Sequence, residues 1–258
     1  MRDAREHGSV LPAPAEKARS VRRMFGDIAH RYDLLNHLLT LNIDRRWRRR
    51  AVDRLLEGWR GGGSYLDACA GTMDLAVEIG RRDGFDGFVV ASDFAWPMLE
   101  HGREKVRGLP ISAACGDALR LPHPNAAFDG AIVGFGVRNF ADLRAGLDEL
   151  VRVLAPGGRL VILELSIPAW RPLRELYFLY FTRILPWIGR RISGHETAYS
   201  YLPASVREFP PPEELATMMT AAGLADLRFD RLMNGIAAIH VGDKPSDGGT
   251  LRGMIDRG

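Results

Sequence analysis

The chain reads as one α/β domain built on a mostly parallel sheet, and three observations carry that expectation. Short β-branched runs bounded by Gly, Asp or Pro alternate with stretches of helical spacing, the order of strands joined by crossover helices. With 258 residues and 46% apolar content, there is material for one sizeable core rather than two independent ones. The last two strand-like runs are separated by only a few turn residues, which calls for a hairpin and hence one antiparallel strand.

In chain order, residues 1–18 are rich in proline, alanine and charge without any period, and 242–258 are rich in glycine and charge; both ends are expected to be flexible. The single domain is expected over 19–241, with a helical cap at 19–60 and an insertion or lid at 166–224. Asp44 is the expected N-cap of a helix whose Trp47, Ala51, Val52, Leu55 and Leu56 form one apolar stripe, stopped at Gly58. Strands are expected at 64–69, 87–92, 111–115, 129–134 and 159–165, then the hairpin pair 226–232 and 235–241 across Met233, Asn234 and Gly235. A helix at 141–154 turns Leu143, Leu147, Leu150, Val151 and Leu154 to one side and ends at Pro156-Gly157-Gly158. Residues 172–188 carry apolar side chains at 173, 176, 177, 180, 181, 184 and 185, an amphipathic stripe that Phe178 and Leu179 overflow.

Composition narrows the function classes. No apolar run approaches the ~20 residues of a membrane span, and the N-terminus lacks the apolar core of a secretory signal, so a cytoplasmic chain is expected. Two cysteines, Cys69 and Cys115, make neither a disulfide framework nor a cysteine-rich zinc site. The first 60 residues carry 14 basic and 8 acidic side chains, leaving 21 and 24 of the 35 and 32 for the remainder. Without an aromatic-studded basic sheet motif, nucleic acid is not an expected partner. The run Arg45-Arg46-Trp47-Arg48-Arg49-Arg50 is either a solvated helix face or a contact for anionic membrane headgroups. No histidine grouping has metal spacing, and neither a P-loop nor a Gly-x-Ser-x-Gly elbow is present.

In open α/β sheets ligands bind beyond the carboxyl ends of the strands. The first such turn is Asp67-Ala68-Cys69-Ala70-Gly71-Thr72-Met73-Asp74. It lacks the Gly-x-Gly-x-x-Gly of a dinucleotide site, and Asp74 would compete with a phosphate for the dipole of the next helix. Asp93 and Asp117 close the second and third strands, where carboxylates can accept ribose hydroxyls and an exocyclic amine. Together they suit a nucleoside without phosphates, although aspartate at a strand end is also ordinary turn chemistry.

Several longer segments add a resemblance. Phe25-Gly26-Asp27-Ile28-Ala29-His30-Arg31-Tyr32-Asp33-Leu34-Leu35-Asn36, Phe135-Gly136-Val137-Arg138-Asn139, and Arg152-Val153-Leu154-Ala155-Pro156-Gly157-Gly158-Arg159-Leu160 continuing to Leu163-Glu164 are three of them. Tyr199-Ser200-Tyr201-Leu202, Ser205, Phe209-Pro210 and Asn234-Gly235-Ile236-Ala237-Ala238-Ile239-His240 complete the set. The chain resembles, from about residue 20 to 244, the ubiquinone/menaquinone biosynthesis C-methyltransferases within the class I S-adenosylmethionine-dependent methyltransferases.

The resemblance implies a Rossmann-like seven-stranded sheet with an antiparallel last strand, S-adenosyl-L-methionine as cofactor and a polyprenyl quinol, demethylmenaquinol or a related benzoquinol, as substrate. Cofactor contacts are implied at Asp67, Gly71, Thr72, Asp93, Asp117, Ala118 and Gly134, where relatives carry a small polar residue in place of Gly134. Arg138 is the expected electrostatic partner of the ionising ring hydroxyl, with a structural salt bridge under the lid as the competing role. Asn139 and Tyr32 are the further catalytic candidates, and Asp33, Asn36, Tyr177 and Phe181 are expected to serve the substrate or lid. The apolar surplus of 172–188, flanked by Arg171, Arg174, Arg183, Arg190 and Arg191, fits an isoprenoid tail, a homodimer mate, a membrane's acyl boundary, or a lid helix with extra core contacts.

The turn departs from the family's Gly-Gly-Thr-Gly-Asp by Ala70 and Met73. Either Met73 turns its side chain into the core, or it narrows the cofactor site. The second case would leave a catalytically weak homologue acting as a scaffold. A nicotinamide-dependent oxidoreductase is the other alternative, disfavoured by the missing glycines and Asp74.

Overall fold

The computed structural model describes residues 12, 14–40, 42–58, 61–184 and 196–246. They run in the order α1 (Pro14–Thr40), α2 (Ile43–Leu55), β1 (Ser64–Ala68), α3 (Asp74–Gly80), β2 (Phe88–Asp93), α4 (Trp96–Gly102) and β3 (Ile111–Cys115). Then follow β4 (Phe128–Gly134), α5 (Leu143–Val153), β5 (Leu154–Leu165), α6 (Arg171–Leu179), α7 (Glu196–Glu208), α8 (Pro212–Ala221), β6 (Ala225–Leu232) and β7 (Ala237–Asp243). The strands form one sheet in the order β3-β2-β1-β4-β5-β7-β6. β7 runs antiparallel to both neighbours, as the predicted hairpin requires, and the other pairings are parallel. Strand order reverses between β1 and β4, so the crossovers diverge there and open a crevice above the carboxyl ends.

The side-chain period of two divides the core. Tyr65, Val89, Ala91, Ile132, Val161 and Leu163 face α2, α3 and α6. Leu66, Ala68, Ala131, Val133, Leu160 and Ile162 face α5 and α8. Both faces being covered explains why these strands read as near-continuous apolar runs. α1 lies outside the two layers and packs on α4 through Ala29, Ala95 and Met98, with Phe25 and Phe94 against them.

Several boundaries differ from the sequence reading for identifiable reasons. α1 starts at Pro14, so 14–18 belong to a helix, and β7 continues to Asp243, with the Lys244 ammonium donating to the carbonyls of Val151 (2.8 Å) and Leu154 (2.7 Å). Asp44 is not the N-cap of α2. Asn42 holds that position, and Asp44 is buried within the first turn, accepting from Thr40 Oγ1 at 2.6 Å and from Arg48. α5 begins at Leu143 because Asp142 caps it through the Ala145 amide at 2.9 Å, and Leu154 passes to β5, where it pairs with Phe128. The arginine run is not one solvated face, since Arg48 turns inward and is buried while Arg45 and Arg46 remain exposed. The stripe of 172–188 is not one buried face either: Tyr177 and Phe181 are buried, but Leu176 is 60% exposed. A wider π turn at Tyr180–Ile184 changes the angular period beyond Leu179. Leu185 to Ile188 lie outside the described residues.

Gly146 of α5 is a packing requirement, because a methyl built on it falls against the ring of Phe140. Alanine gains about 1 kcal/mol of helix propensity, whereas overpacking a buried ring costs about 1–3 kcal/mol. Gly146→Ala is therefore expected to lower Tm by up to about 8 °C, the net of about 0–2 kcal/mol, as a calorimetric melt against wild type will show.

Candidate functional site

A cleft opens above the carboxyl ends of β1, β2 and β4. Its polar side chains are Asp93, Asp117 and Asn139, and four phenylalanines, Phe25, Phe94, Phe135 and Phe140, supply aromatic wall. Cys69 and the backbone of Gly71, Gly116, Gly134 and Gly136 complete the floor. Among the described residues lining it there is no lysine or arginine. The chemistry is that of a site for a neutral or positively charged aromatic ligand with hydroxyl donors, and a poor one for phosphate.

The turn after β1 shapes the floor through left-handed residues at Cys69 (φ 57°), Gly71 (φ 54°) and Met73 (φ 66°). Gly71 N–H donates to Asp93 Oδ2 at 2.9 Å, and Ala95 N–H donates to Asp93 Oδ1 at 2.8 Å. Burial pushes the Asp93 carboxyl up, and these two amides pull it back toward its ordinary range. Met73 has its side chain in the core with Leu75, Ala76 and Ile79, so it does not narrow the cleft. At Gly134 a Cβ would meet Leu75 Cδ1 at 2.6 Å, so a larger residue there would have to shift the end of that leucine.

The expected cofactor residues separate into two groups. Gly71, Asp93, Asp117, Ala118 and Gly134 line the cleft, and Asp117 Oδ1 accepts the Leu119 amide at 2.9 Å. Asp67 and Thr72 are not brought there. Thr72 is buried with its hydroxyl accepting from Lys105 Nζ at 3.0 Å. Asp67 is fully buried, takes the Ala76 amide on Oδ2 at 2.9 Å, and leaves Oδ1 without a partner. Burial pushes its carboxyl up to about 8, with the Ala76 amide opposing.

Arg138 is paired rather than open to the cleft. Its Nη1 donates to Glu164 Oε1 and to the Phe135 carbonyl, both at 2.6 Å, and the Arg138 amide donates to Glu164 Oε2 at 3.3 Å. Sequence reasoning missed Glu164 as a site residue, because only the β4–β5 register brings it there; its sole signal was its place in the resemblance. Asn139 does line the cleft, and its Oδ1 accepts the Tyr201 hydroxyl at 3.1 Å. Tyr177 and Phe181 stack at 4.3 Å in the core beneath the lid, and the buried Tyr177 hydroxyl has no partner among the described residues. Burial raises the pKa of both Tyr177 and Tyr201. Lys17 was also missed: its ammonium clips α1 onto the carbonyls of Arg138 (3.1 Å) and Phe140 (2.8 Å), and Phe25 of the same helix roofs the cleft. Tyr32, Asp33 and Asn36 fall on α1, and their side chains lie outside the described residues.

A family model for the ubiE/COQ5 methyltransferases matches residues 14–244. A demethylmenaquinone methyltransferase of Thermus thermophilus is 51% identical over 225 residues, which are 86% of this chain and 100% of the relative. A ubiquinone/menaquinone biosynthesis C-methyltransferase, UbiE, of Geobacter sulfurreducens is 42% identical over 246 residues, 94% of this chain and 95% of the relative. Among solved structures, a S-adenosylmethionine-dependent methyltransferase of Thermotoga maritima, possibly acting on histamine by its description, superposes with a TM-score of 0.59 at 16% identity over 86% of this chain and 98% of that one. That likeness bears on the fold alone.

The proton on Asp67 gives a pH test. Between about pH 4 and 8 the folded carboxyl keeps a proton that the unfolded chain gives up, so its contribution to stability falls as pH rises through that window. Asp67→Asn retains an acceptor for Ala76 and removes the titration. It is expected to melt above wild type at pH 8 and close to it at pH 4; parallel melting profiles would show that Asp67 ionises freely.

Proposed function

The chain belongs to the ubiE/COQ5 methyltransferase family, and from that premise we propose how its cleft carries out ring methylation. It is an S-adenosylmethionine-dependent C-methyltransferase of menaquinone or ubiquinone biosynthesis. The observation that supports the assignment of residues is the lining itself: two carboxylates, four aromatic rings and no cation. Bound there, S-adenosylmethionine supplies a methyl group as an electrophile on positively charged sulfur.

Asp93 accepts the ribose hydroxyls beside the Gly71 amide, and Asp117 with the Ala118 amide faces the adenine edge. The phenylalanines exclude water, which favours a reaction in which a phenolate and a cation neutralise one another. An aromatic carbon becomes nucleophilic only as its neighbouring hydroxyl ionises, so the substrate end must stabilise negative charge on that oxygen. Asn139, braced by Tyr201, orients the hydroxyl. The Arg138 guanidinium, fixed by Glu164, stabilises the oxyanion at a distance and, staying protonated, cannot itself act as base. We favour a naphthoquinol ring, in keeping with the name of the Thermus relative. The burial of Met73 favours an active enzyme over a scaffold.

α6 meets the lipid-borne substrate. Its outer side exposes Leu176 (60%) and Leu179 (46%), Trp170 precedes it at 59%, and Arg171, Arg174 and Arg183 are exposed around them, with Glu175 the one carboxylate among the described residues of 170–184. Apolar side chains ringed by arginines fit the boundary of an anionic bilayer.

Truncating Arg138 alone would strand a buried carboxylate at a cost of about 3–5 kcal/mol, so Arg138→Met is best combined with Glu164→Gln. The double variant is expected to fold and bind S-adenosylhomocysteine like wild type while kcat falls about 10²- to 10³-fold; retained turnover, with product followed by mass, would reduce the pair to a structural role. For the lid, Leu176→Glu with Leu179→Glu is expected to weaken co-sedimentation with phosphatidylglycerol vesicles by about tenfold or more, the scale of one leucine's lost burial. Equal sedimentation, or indifference to anionic lipid, would discard the contact.

A further inference from the structure

The turn that forms the cleft floor holds a methionine where backbone geometry favours glycine. Met73 has φ 66° and ψ 27°, the left-handed region in which a side chain is strained. Its carbonyl accepts the Val77 amide at 2.9 Å and its amide donates to the Ala70 carbonyl at 2.8 Å, so the strained residue joins the floor at 69–71 to the start of α3. Something outside the turn must keep it there.

Lys105 is placed to do so. It lies in the short 3-10 segment Arg103–Val106 after α4, and its ammonium donates to Thr72 Oγ1 at 3.0 Å and to Asp74 Oδ1 at 2.8 Å, the side chains immediately before and after Met73. From the other side Arg48 Nη1 approaches Asp74 Oδ2 at 3.4 Å, so Asp74 is held between two cations. The end of α4 presses on the same turn: a methyl built on Gly102 would fall on the Thr72 carbonyl and 3.0 Å from Met73 Cε. The chain has only three lysines, Lys17, Lys105 and Lys244, among 35 cations, and each donates to two acceptors that it ties together. A compact ammonium can converge on two oxygens that a planar guanidinium would bridge less closely.

We infer that Lys105 is a positioning residue for the cofactor: by bridging Thr72 and Asp74 it holds Met73 in the left-handed conformation and so keeps Gly71 and Asp93 in the arrangement that binds the ribose. The inference rests on the reading of the cleft as the S-adenosylmethionine site. Lys105 itself does not line the cleft, so its effect passes through the turn.

Titration calorimetry with S-adenosylhomocysteine, alongside thermal melts and kcat at saturating cofactor, tests this in a cycle of Lys105→Met and Met73→Gly. Wild type binds. Lys105→Met is expected to bind about tenfold more weakly, or about 1.4 kcal/mol, with kcat within about twofold. Met73→Gly is expected to bind as wild type does, and adding it to Lys105→Met should restore affinity to within about threefold, because glycine adopts the turn unaided. Wild-type affinity in Lys105→Met, or no rescue in a double variant that melts cooperatively, overturns the role of Lys105 alone. No binding by wild type would overturn the cofactor reading beneath it.

Discussion

One carboxylate fixes the geometry on which the site depends. Asp93 ends β2, the neighbour of β1, and its two oxygens take one amide from the turn after β1 and one from the start of α4. That single side chain joins two crossover connections which the sheet itself only brings near each other. Its burial would ordinarily favour the neutral acid, and the two amide donors oppose that shift. The cleft therefore has its acceptor placed before any ligand arrives, and one of the two amides that place it, that of Gly71, belongs to a turn of left-handed residues.

Those turn residues make the floor a strained element held by its surroundings. Cys69 and Met73 both have positive φ without being glycine, a conformation that persists only where neighbours over-determine it. Here the neighbours are identifiable: Met73 is locked by core burial, by the close approach of Gly102 and by the ions around Asp74. Asp74, which in the sequence argues against a phosphate at the helix start, is thus also a structural anchor. Its charge is met by Lys105 and Arg48, and Arg48 is in turn met by Asp44 on its own helix.

What could be read from the sequence follows from the range of the interactions involved. The strands β1, β2, β4, β5 and β7 were legible because both of their faces are largely buried, which leaves apolar runs too regular to miss. Asp93 and Asp117 were legible because they stand at, or two residues beyond, the carboxyl ends of β2 and β3. Thr72 was misplaced because Gly71 beside it lines the cleft while its own hydroxyl is claimed by Lys105, 33 positions away. Asp44 was misread as a cap for the same kind of reason: capping propensity is local, but its carboxylate was already engaged by Thr40 and Arg48. Glu164 and Lys17 could not be found by local pattern at all, since their partners at Arg138 and Phe140 lie 26 and 123 residues distant.

The two halves of the site are consequently built by different physics. The cofactor half consists of turns, amides and strand-end carboxylates, each fixed within a few residues of a β-strand. The substrate half is assembled from long-range contacts, with Arg138 on Glu164, Asn139 under Tyr201 and α1 clipped down by Lys17. Packed apolar side chains in place of a buried ion pair are often neutral or stabilising, because desolvating two charges consumes most of what their attraction returns. Stability alone therefore gives no reason for an ion pair at that position. A fixed positive charge beside a cleft that otherwise contains none is what the chemistry of an ionising ring hydroxyl requires, and the pair supplies it without placing a cation against the cofactor's own positive sulfur.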